Sequence, residues 1–179
     1  MTTAVFTFAR MAPVTVGHEK LVNTIKGLAS TMDAEPLVFL SHSHDNKRNP
    51  IAYPTKLGLA QTAFGDVVKR SDATDVFSVL RSLNGKYDNV IFVGDKARSD
   101  ELLPIMQKYN NVEYSFQSIK AVSAGSRDSE EHVDSMRATK MRKYAIDNDT
   151  DSFTAGLPDK LKPYSSMVAH LVRKGMTNE

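Results

Sequence analysis

The sequence has no cysteine among its 179 residues. This absence excludes disulfide bonds, thiolate zinc sites and cysteine nucleophiles, and it is typical of a reducing compartment. The sequence also lacks any apolar run near the roughly 20 residues that a membrane-spanning helix needs. The first apolar stretch contains Arg10 and shows no export-signal pattern. We therefore expect a cytoplasmic protein with no membrane partner.

The chain also has little excess of charge of either sign. Lys and Arg number 23 and Asp and Glu 21, for a formal net charge of +2. Such a balance argues against a protein built to coat nucleic acid, so nucleic acid is not an expected partner. The length suits a single domain over 1–179, with a core at 1–146 and C-terminal helices at 147–179. Association with further copies of the chain is left open.

Short strand-like segments alternate with helical ones. Runs rich in β-branched and aromatic residues occur at 4–8, 36–40, 89–93 and 112–116, with a weaker one at 67–71. Helical periodicity lies between them, in the sets Leu21, Val22, Ile25, Leu28, Ala29; Leu57, Ala60, Phe64; Val76, Val79, Leu80, Leu83; and Leu102, Leu103, Met106. This alternation predicts a parallel sheet.

The last third of the sequence shows a different pattern. We expect the fourth helix to open at Asp100, a long polar loop from Ser118, and a helix that begins near "MRATKMR". Leu161, Tyr164, Val168 and Leu171 are spaced as the apolar stripe of a final helix.

The turn after the first strand is the first candidate site. In an open parallel sheet, ligands bind at the carboxyl ends of the strands. Gly17 would let the backbone approach a ligand, and a helix starting near His18 would present free N–H groups to a phosphate. Arg10 could add a positive charge. The alternative is that His18 simply packs at a helix start, on the stripe that contains Leu21.

A second candidate lies at "MRATKMR", residues 136–142. Thr139 and Arg142 are three residues apart and therefore share one helical face. The alternative is the start of a basic amphipathic helix with solvated side chains. "SHSHD", residues 41–45, places His42 and His44 on one side of an extended chain, as a metal site could, but no further ligands cluster nearby.

Taken in order, these segments resemble the nucleotidylyltransferase superfamily. That family has a first-strand motif G-x-F-x-P-x-(H/T)-x-G-H and a late motif I-S-S-T-x-x-R, which here correspond to "ARMAPVTVGH" and "MRATKMR". "RNPIAYPTKLGLAQTAF" (48–64) and "IFVGDKARSDEL" (91–102) are similar to its second-strand and fourth-strand segments. The sequence looks most like bacteriophage cytidylyltransferase-like and nicotinamide-nucleotide adenylyltransferase-like members. A phage-encoded protein of this kind would act in the host cytoplasm.

The resemblance implies a doubly wound Rossmann-like α/β sheet with helices on both faces and a C-terminal helical extension. It implies transfer of AMP or CMP from ATP or CTP to a phosphorylated small-molecule acceptor, with release of pyrophosphate. Mg²⁺ would arrive with the triphosphate, and no residue is assigned as its ligand. The implied catalytic residues are His18, Thr15 and Arg142. The implied nucleotide-binding residues are Phe8, Ala9, Arg10, Met11, Gly17, His18, Gly94, Asp95, Arg137, Thr139 and Arg142. Lys47, Arg48 and Lys56 would bind the acceptor.

Four positions depart from the family pattern. Ala9 replaces a glycine, which requires a negative φ there, and Met11 stands where an aromatic residue is common. Arg137 and Ala138 replace the two serines of the late motif. The alternative function is therefore a catalytically weakened nucleotide-binding or structural module of a larger, for instance viral, assembly.

Overall fold

The computed structural model describes residues 1–125 and 137–177. Its strands are β1 (Thr3–Ala9), β2 (Glu35–Leu40), β3 (Asn89–Gly94) and β4 (Ser118–Ser123). Its α-helices are α1 (Val16–Met32), α2 (Tyr53–Phe64), α3 (Val76–Leu83), α4 (Lys96–Lys108), α5 (Arg137–Ile146), α6 (Thr150–Ala155) and α7 (Ser165–Thr177). Two 3-10 turns occur at Gly65–Val67 and Asp159–Tyr164.

The strands form one parallel sheet in the order β2-β1-β3-β4. β1 lies in the middle, where Phe6 is opposite Leu37 on β2 and Phe92 on β3. Because the chain leaves β1 toward one side and later returns to pair on the other, the carboxyl end of β1 is the switch point of the sheet. The predicted doubly wound α/β class is confirmed.

Side chains alternate between two apolar layers. Val5, Val38 and Ile91 face α1, α2 and the C-terminal helices, whereas Phe6 and Phe92 face α3 and α4. The two phenylalanine rings meet edge to face at 5.6 Å between centroids. Burial on both faces explains why β1, β2 and β3 are almost continuously apolar in sequence.

The first three predicted helices are confirmed, and the fourth begins earlier than expected. α1 buries Val22, Ile25 and Ala29, as its periodicity predicts. α4 begins at Lys96 rather than at Asp100, because Asp95 caps it: its Oδ1 accepts a hydrogen bond from the Arg98 N–H at 2.8 Å.

The predicted strand at 112–116 is wrong. Tyr114 and Phe116 are buried, but they reach the core from a turn. The Asn110 amide holds that turn, since Nδ2 donates to the Phe116 carbonyl at 3.0 Å and Oδ1 accepts from the Phe116 N–H at 2.9 Å. The aromatic composition thus reflects burial and not strand pairing.

The true fourth strand begins at Ser118, where we expected a long loop. β4 is buried at Ile119 and exposed at Lys120 and at its last two residues, so its apolar pattern is weak. Residues 126–136, the rest of that expected loop, lie outside the described residues. The weak strand at 67–71 reduces to a single bridge between Val68 and Val38.

The C-terminal helices belong to the apolar cluster that also contains α1. Met141, Phe153, Leu157 and Val172 are buried in it. The final helix begins at Ser165, so Leu161 is buried from the 3-10 turn before it, whereas Tyr164 is 49% exposed. In the described ranges, no helix is long and apolar enough to cross a membrane.

We predict that Gly175→Ala destabilises the protein by roughly 1–3 kcal/mol. A Cβ on Gly175 in α7 would overlap the Pro50 carbonyl oxygen and lie 2.7 Å from its carbon, so helix or loop must move. Gly27→Ala is the matched control, because a Cβ there meets nothing within 4 Å and alanine favours the helix. Urea denaturation measures both, and equal stabilities would contradict the close packing of α7.

Candidate functional site

A cavity of about 1180 Å³ opens at the carboxyl ends of the strands. Its floor is formed by Thr7, Ala9, Ser41 and Gly94 from the ends of β1, β2 and β3, and its walls come from α1 and α5. This is the edge of a doubly wound sheet at which ligands bind.

The structure brings most of the predicted site residues to this one cavity. Its lining includes Phe8, Ala9, Arg10, Met11, Gly17, His18, Lys47, Arg48, Gly94, Asp95, Thr139 and Arg142. Two predicted residues, Thr15 and Lys56, are buried behind the wall instead. Arg137 begins α5, and its side chain lies outside the described residues.

Thr15 orients His18. Thr15 is the N-cap of α1, and its backbone N–H donates to Nδ1 of His18 at 3.0 Å. Nδ1 is therefore an acceptor, so in the neutral ring Nε2 carries the hydrogen. The Thr15 hydroxyl also lies 3.2 Å from Nδ1. Thr15 thus fixes the ring at the helix start and leaves the Nε2–H as the free donor.

His18 is held neutral by its surroundings. Burial, and after it the positive charge of Lys56, lower its pKa from 6.5 to about 4. At neutral pH, therefore, the imidazole offers a hydrogen-bond donor without a charge.

Lys56 is itself an unusual residue, because its side chain is fully buried. Nζ lies 3.2 Å from Oγ of Ser41, which lines the cavity. Burial and the nearby Arg10 lower the pKa of Lys56 to about 8.

Arg142 joins α5 to the turn after β1. It is 9% exposed; one terminal nitrogen donates to the Ala12 carbonyl at 2.8 Å and the other to Oγ1 of Thr139 at 3.2 Å. Burial, and after it Arg10 and Arg48, lower its pKa, while Asp45 acts in the opposite direction.

The loop after β2 is shaped by Asp45. One carboxylate oxygen accepts from the N–H groups of Lys47 at 2.9 Å and Arg48 at 2.7 Å, and the other accepts from the Asn49 side chain at 2.8 Å. These hydrogen bonds hold the pKa of Asp45 far below its usual range. The loop presents Lys47 and Arg48 to the cavity.

The backbone of the turn after β1 accommodates both departures found there. Ala9 lies in β1 and does not have a positive φ, so an alanine is tolerated at this position, where the family pattern has glycine. Met11 is the residue with the left-handed conformation, at φ 48°, and its side chain is fully buried. A non-glycine residue in that region is held there by its surroundings.

Within the described ranges, the charge of the lining is strongly positive. Two acids, Asp95 and Asp147, line the cavity together with seven Lys or Arg residues (Arg10, Lys20, Lys47, Arg48, Arg98, Arg142 and Lys143). Asp147 pairs with Lys143 at 2.9 Å, and Asp95 caps α4. Among residues 1–125 and 137–177, no three His, Asp or Glu side chains cluster as a metal site would require. The cavity therefore suits a ligand with several negative charges.

Comparison with known proteins supports the fold. No protein-family model and no curated protein matches the sequence. Among solved structures, the chain is similar to the crystal structure of a "Putative Nicotinate-nucleotide Adenylyltransferase" from Vibrio parahaemolyticus. The TM-score is 0.60 at 16% identity, and 97% of each chain is covered. The two chains share a fold.

Sequence patterns missed several cavity residues. Ser41 and Ser43 follow the end of β2, and residues at the carboxyl end of a parallel strand are expected to line a ligand site. Lys20, Arg98 and Lys143 resemble ordinary surface cations in the sequence, so no pattern pointed to them. His42, considered for a metal, has another role: its ring stacks on Tyr53 at 3.7 Å, and Nε2 lies 2.6 Å from the Ser71 carbonyl.

We predict that the His18 imidazole titrates near pH 4. NMR of the five histidines measures this, and the signal that disappears in His18→Gln identifies His18. Since the pKa falls from 6.5 to about 4 on folding, the unfolded chain takes up a proton between these values and the folded chain does not. The free energy of unfolding should therefore decrease as the pH falls from 6.5 to 4, and His18 should not affect it above pH 6.5.

The His18→Gln variant should lose this part of the acid sensitivity, by about 3 kcal/mol at most. His44→Gln is the control, because His44 is exposed and has no hydrogen-bond partner in the described part of the chain. Titration of His18 near 6.5 would show that the ring is neither desolvated nor affected by Lys56.

Proposed function

We propose that this protein is a nucleotidylyltransferase that moves AMP or CMP from ATP or CTP to a phosphorylated small-molecule acceptor. The observation that carries the proposal is the position of His18: at the start of α1, it lines the same cavity as Thr139 and Arg142 of α5, and its Nδ1 is occupied by the Thr15 N–H. A cavity with a neutral donor on one wall and a guanidinium on the other suits a reacting phosphate and its leaving group.

The reaction requires positioning and charge stabilisation, with no covalent enzyme intermediate. An oxygen of the acceptor phosphate attacks the α-phosphorus in line, the bond to the bridging oxygen breaks, and pyrophosphate leaves on the opposite side. His18 and the free N–H groups of α1 would donate to the α-phosphate as its charge develops. Arg10 adds a positive charge at the same edge.

The leaving pyrophosphate would lie against α5. Arg142 and Thr139 are hydrogen-bonded to each other and face the cavity. Mg²⁺ fits this proposal as part of the substrate, because it binds mainly phosphate oxygens and water. Of the two lining acids, Asp95 caps α4 and would lie nearer the nucleotide by its place after β3.

The acceptor phosphate would lie under the loop after β2, where Lys47 and Arg48 line the cavity. Adenylyl transfer is the first reaction to test, because the solved structure with this fold is described as an adenylyltransferase. The cysteine-free sequence and the nucleoside triphosphate substrate both support a cytoplasmic location.

A second candidate is a module that binds nucleotide without turnover. The observation that favours it is Ala138, which lines the cavity where the related motif has a hydroxyl. Such a module would bind ATP or CTP and release no pyrophosphate with any acceptor.

We predict that His18→Ala lowers pyrophosphate release by about 100-fold or more, the loss expected when one transition-state donor is removed. The assay incubates ATP and CTP separately with a panel of phosphorylated acceptors. His170→Ala is the control, because His170 is an exposed histidine of α7 outside the cavity lining. Equal rates of pyrophosphate release for wild type and His18→Ala would contradict the proposal. Nucleotide binding without pyrophosphate release in the wild type would support the second candidate.

A further inference from the structure

The outward face of α4 and the turn that follows it expose a group of apolar side chains. Ile105 is 38% exposed, and Val112, just beyond the end of the helix, is 75% exposed. Met1 aside, Val112 is the most exposed of the large hydrophobic residues in the described ranges. Ala97 and Pro104 are exposed on the same helix. Single exposed apolar residues are ordinary, whereas a group on one face is typical of a contact surface.

These residues belong to one stripe of the helix. Spacings of three, four and seven residues bring side chains to the same side of a helix. The opposite side of α4 packs on the sheet through Ser99 and Met106, which are buried. We call the exposed side the α4 stripe, and it consists of Ala97, Glu101, Pro104, Ile105 and Lys108 on the helix, with Val112 after it.

The two charges of the α4 stripe have no ion-pair partner in the part of the chain that the structure describes. Glu101 makes no ion pair, and the Lys108 ammonium lies 5.8 Å from the centre of the Tyr109 ring. In contrast, Lys96 and Asp100 of the same helix pair with each other at 2.6 Å. Glu101 and Lys108 are seven residues apart, about 10 Å along the axis, and therefore cannot pair within one helix.

The order of residues in the α4 stripe is self-complementary. If two copies of α4 lie antiparallel about a twofold axis between Pro104 and Ile105, each position of one copy faces its mirror position in the other. Glu101 then faces Lys108 of the second copy, and the symmetry makes this contact twice. Pro104 and Ile105 meet across the axis, so the middle of the contact is apolar.

The ends of the stripe match in size. In the same antiparallel arrangement, Val112 of one copy lies beside Ala97 of the other, which is a large side chain against a small one. Such alternation lets two surfaces interlock, and packed helices approach to about 8–10 Å between their axes. Charge, apolar centre and side-chain size thus all agree with one register.

We propose that the α4 stripe is the interface of a symmetric dimer, in which α4 packs antiparallel on the same helix of a second copy and Glu101 pairs with Lys108 across the axis. This inference is independent of the proposed function, because the cavity lining, as the described residues form it, includes none of the stripe. α4 has 13 residues and is about 20 Å long. Its face is smaller than the roughly 800 Å² per partner of a standard interface, so we expect a dissociation constant in the micromolar range.

Charge reversal tests the register. Sedimentation equilibrium of the full chain, from micromolar to submillimolar concentration, measures the dissociation constant. Glu101→Lys and Lys108→Glu should each weaken the dimer by about tenfold or more, because each sets like charges opposite each other twice. The double variant should return to within about threefold of wild type, because both pairs are restored in reversed order. Lys174→Glu, the same change at an exposed lysine of α7, is the matched control and should leave the dissociation constant unchanged.

The absence of cysteine allows a second, independent measurement. Ile105→Cys places one thiol per chain beside the twofold axis, where two copies can form a disulfide. With oxidised glutathione as the oxidant, which accepts the two electrons, this variant should form a covalent dimer about tenfold faster than Met167→Cys. Met167 is the control because it is 48% exposed and lies on α7, outside the stripe.

Several outcomes would overturn the interface. A wild type that stays monomeric at every concentration excludes it, and so does a dimer that Glu101→Lys and Lys108→Glu leave unchanged. Single variants that weaken the dimer without recovery in the double variant would contradict the antiparallel register. Should a charge variant fail to fold, as checked by its circular dichroism melting curve, the cross-linking rates decide, and equal rates for Ile105→Cys and Met167→Cys exclude the contact. Pyrophosphate release is measured separately, so this proposal and the proposed function can each fail alone.

Discussion

The hydrogen bond from Arg142 to the Ala12 carbonyl joins residues 130 positions apart and fixes the turn on which the cavity depends. That turn leads from β1, the middle strand, to the start of α1. Its other end is held in the same way, since the Val16 N–H donates to the Gly156 carbonyl at 2.9 Å. Both anchors come from the C-terminal helices, which are therefore structural supports of the site. A turn with Met11 at positive φ needs such supports.

The cavity combines this rigid frame with charges that the protein leaves largely uncompensated. The pKa values of His18, Lys56 and Arg142 are all lowered, and in each case burial is the first cause. Burial thus favours the neutral forms of His18 and Lys56, whereas the Arg142 guanidinium stays charged. A polyanionic ligand would oppose that tendency at His18 and Lys56, because it supplies negative charge. The cavity is in this sense suited to an anionic ligand and not to maximal stability.

The sequence identified the parts of this structure whose signal is local. β1, β2 and β3 are buried on both faces and are therefore continuously apolar in sequence. β4 is mostly exposed, so its sequence gives a weak strand signal, and the buried aromatic residues Tyr114 and Phe116 gave a stronger one at the wrong place. Cavity residues that follow a strand or begin a helix could be placed by position alone. The burial of Lys56 could not be predicted in this way, because nothing in the sequence around a lysine in the first turn of a helix shows which residues will pack over it.

The two walls of the cavity differ in how they can hold a phosphate. On α1, the Nε2–H of His18 and the helix N–H groups are directional donors with fixed positions. On α5, Ala138 offers no hydroxyl, and the Thr139 hydroxyl, which accepts from Arg142, has a single hydrogen to donate, so attraction there comes mainly from charge. Charge tolerates displacement more than a hydrogen bond does. The position of a reacting phosphorus would accordingly be set at the α1 wall, and the α5 wall can vary in sequence as long as Arg142 remains.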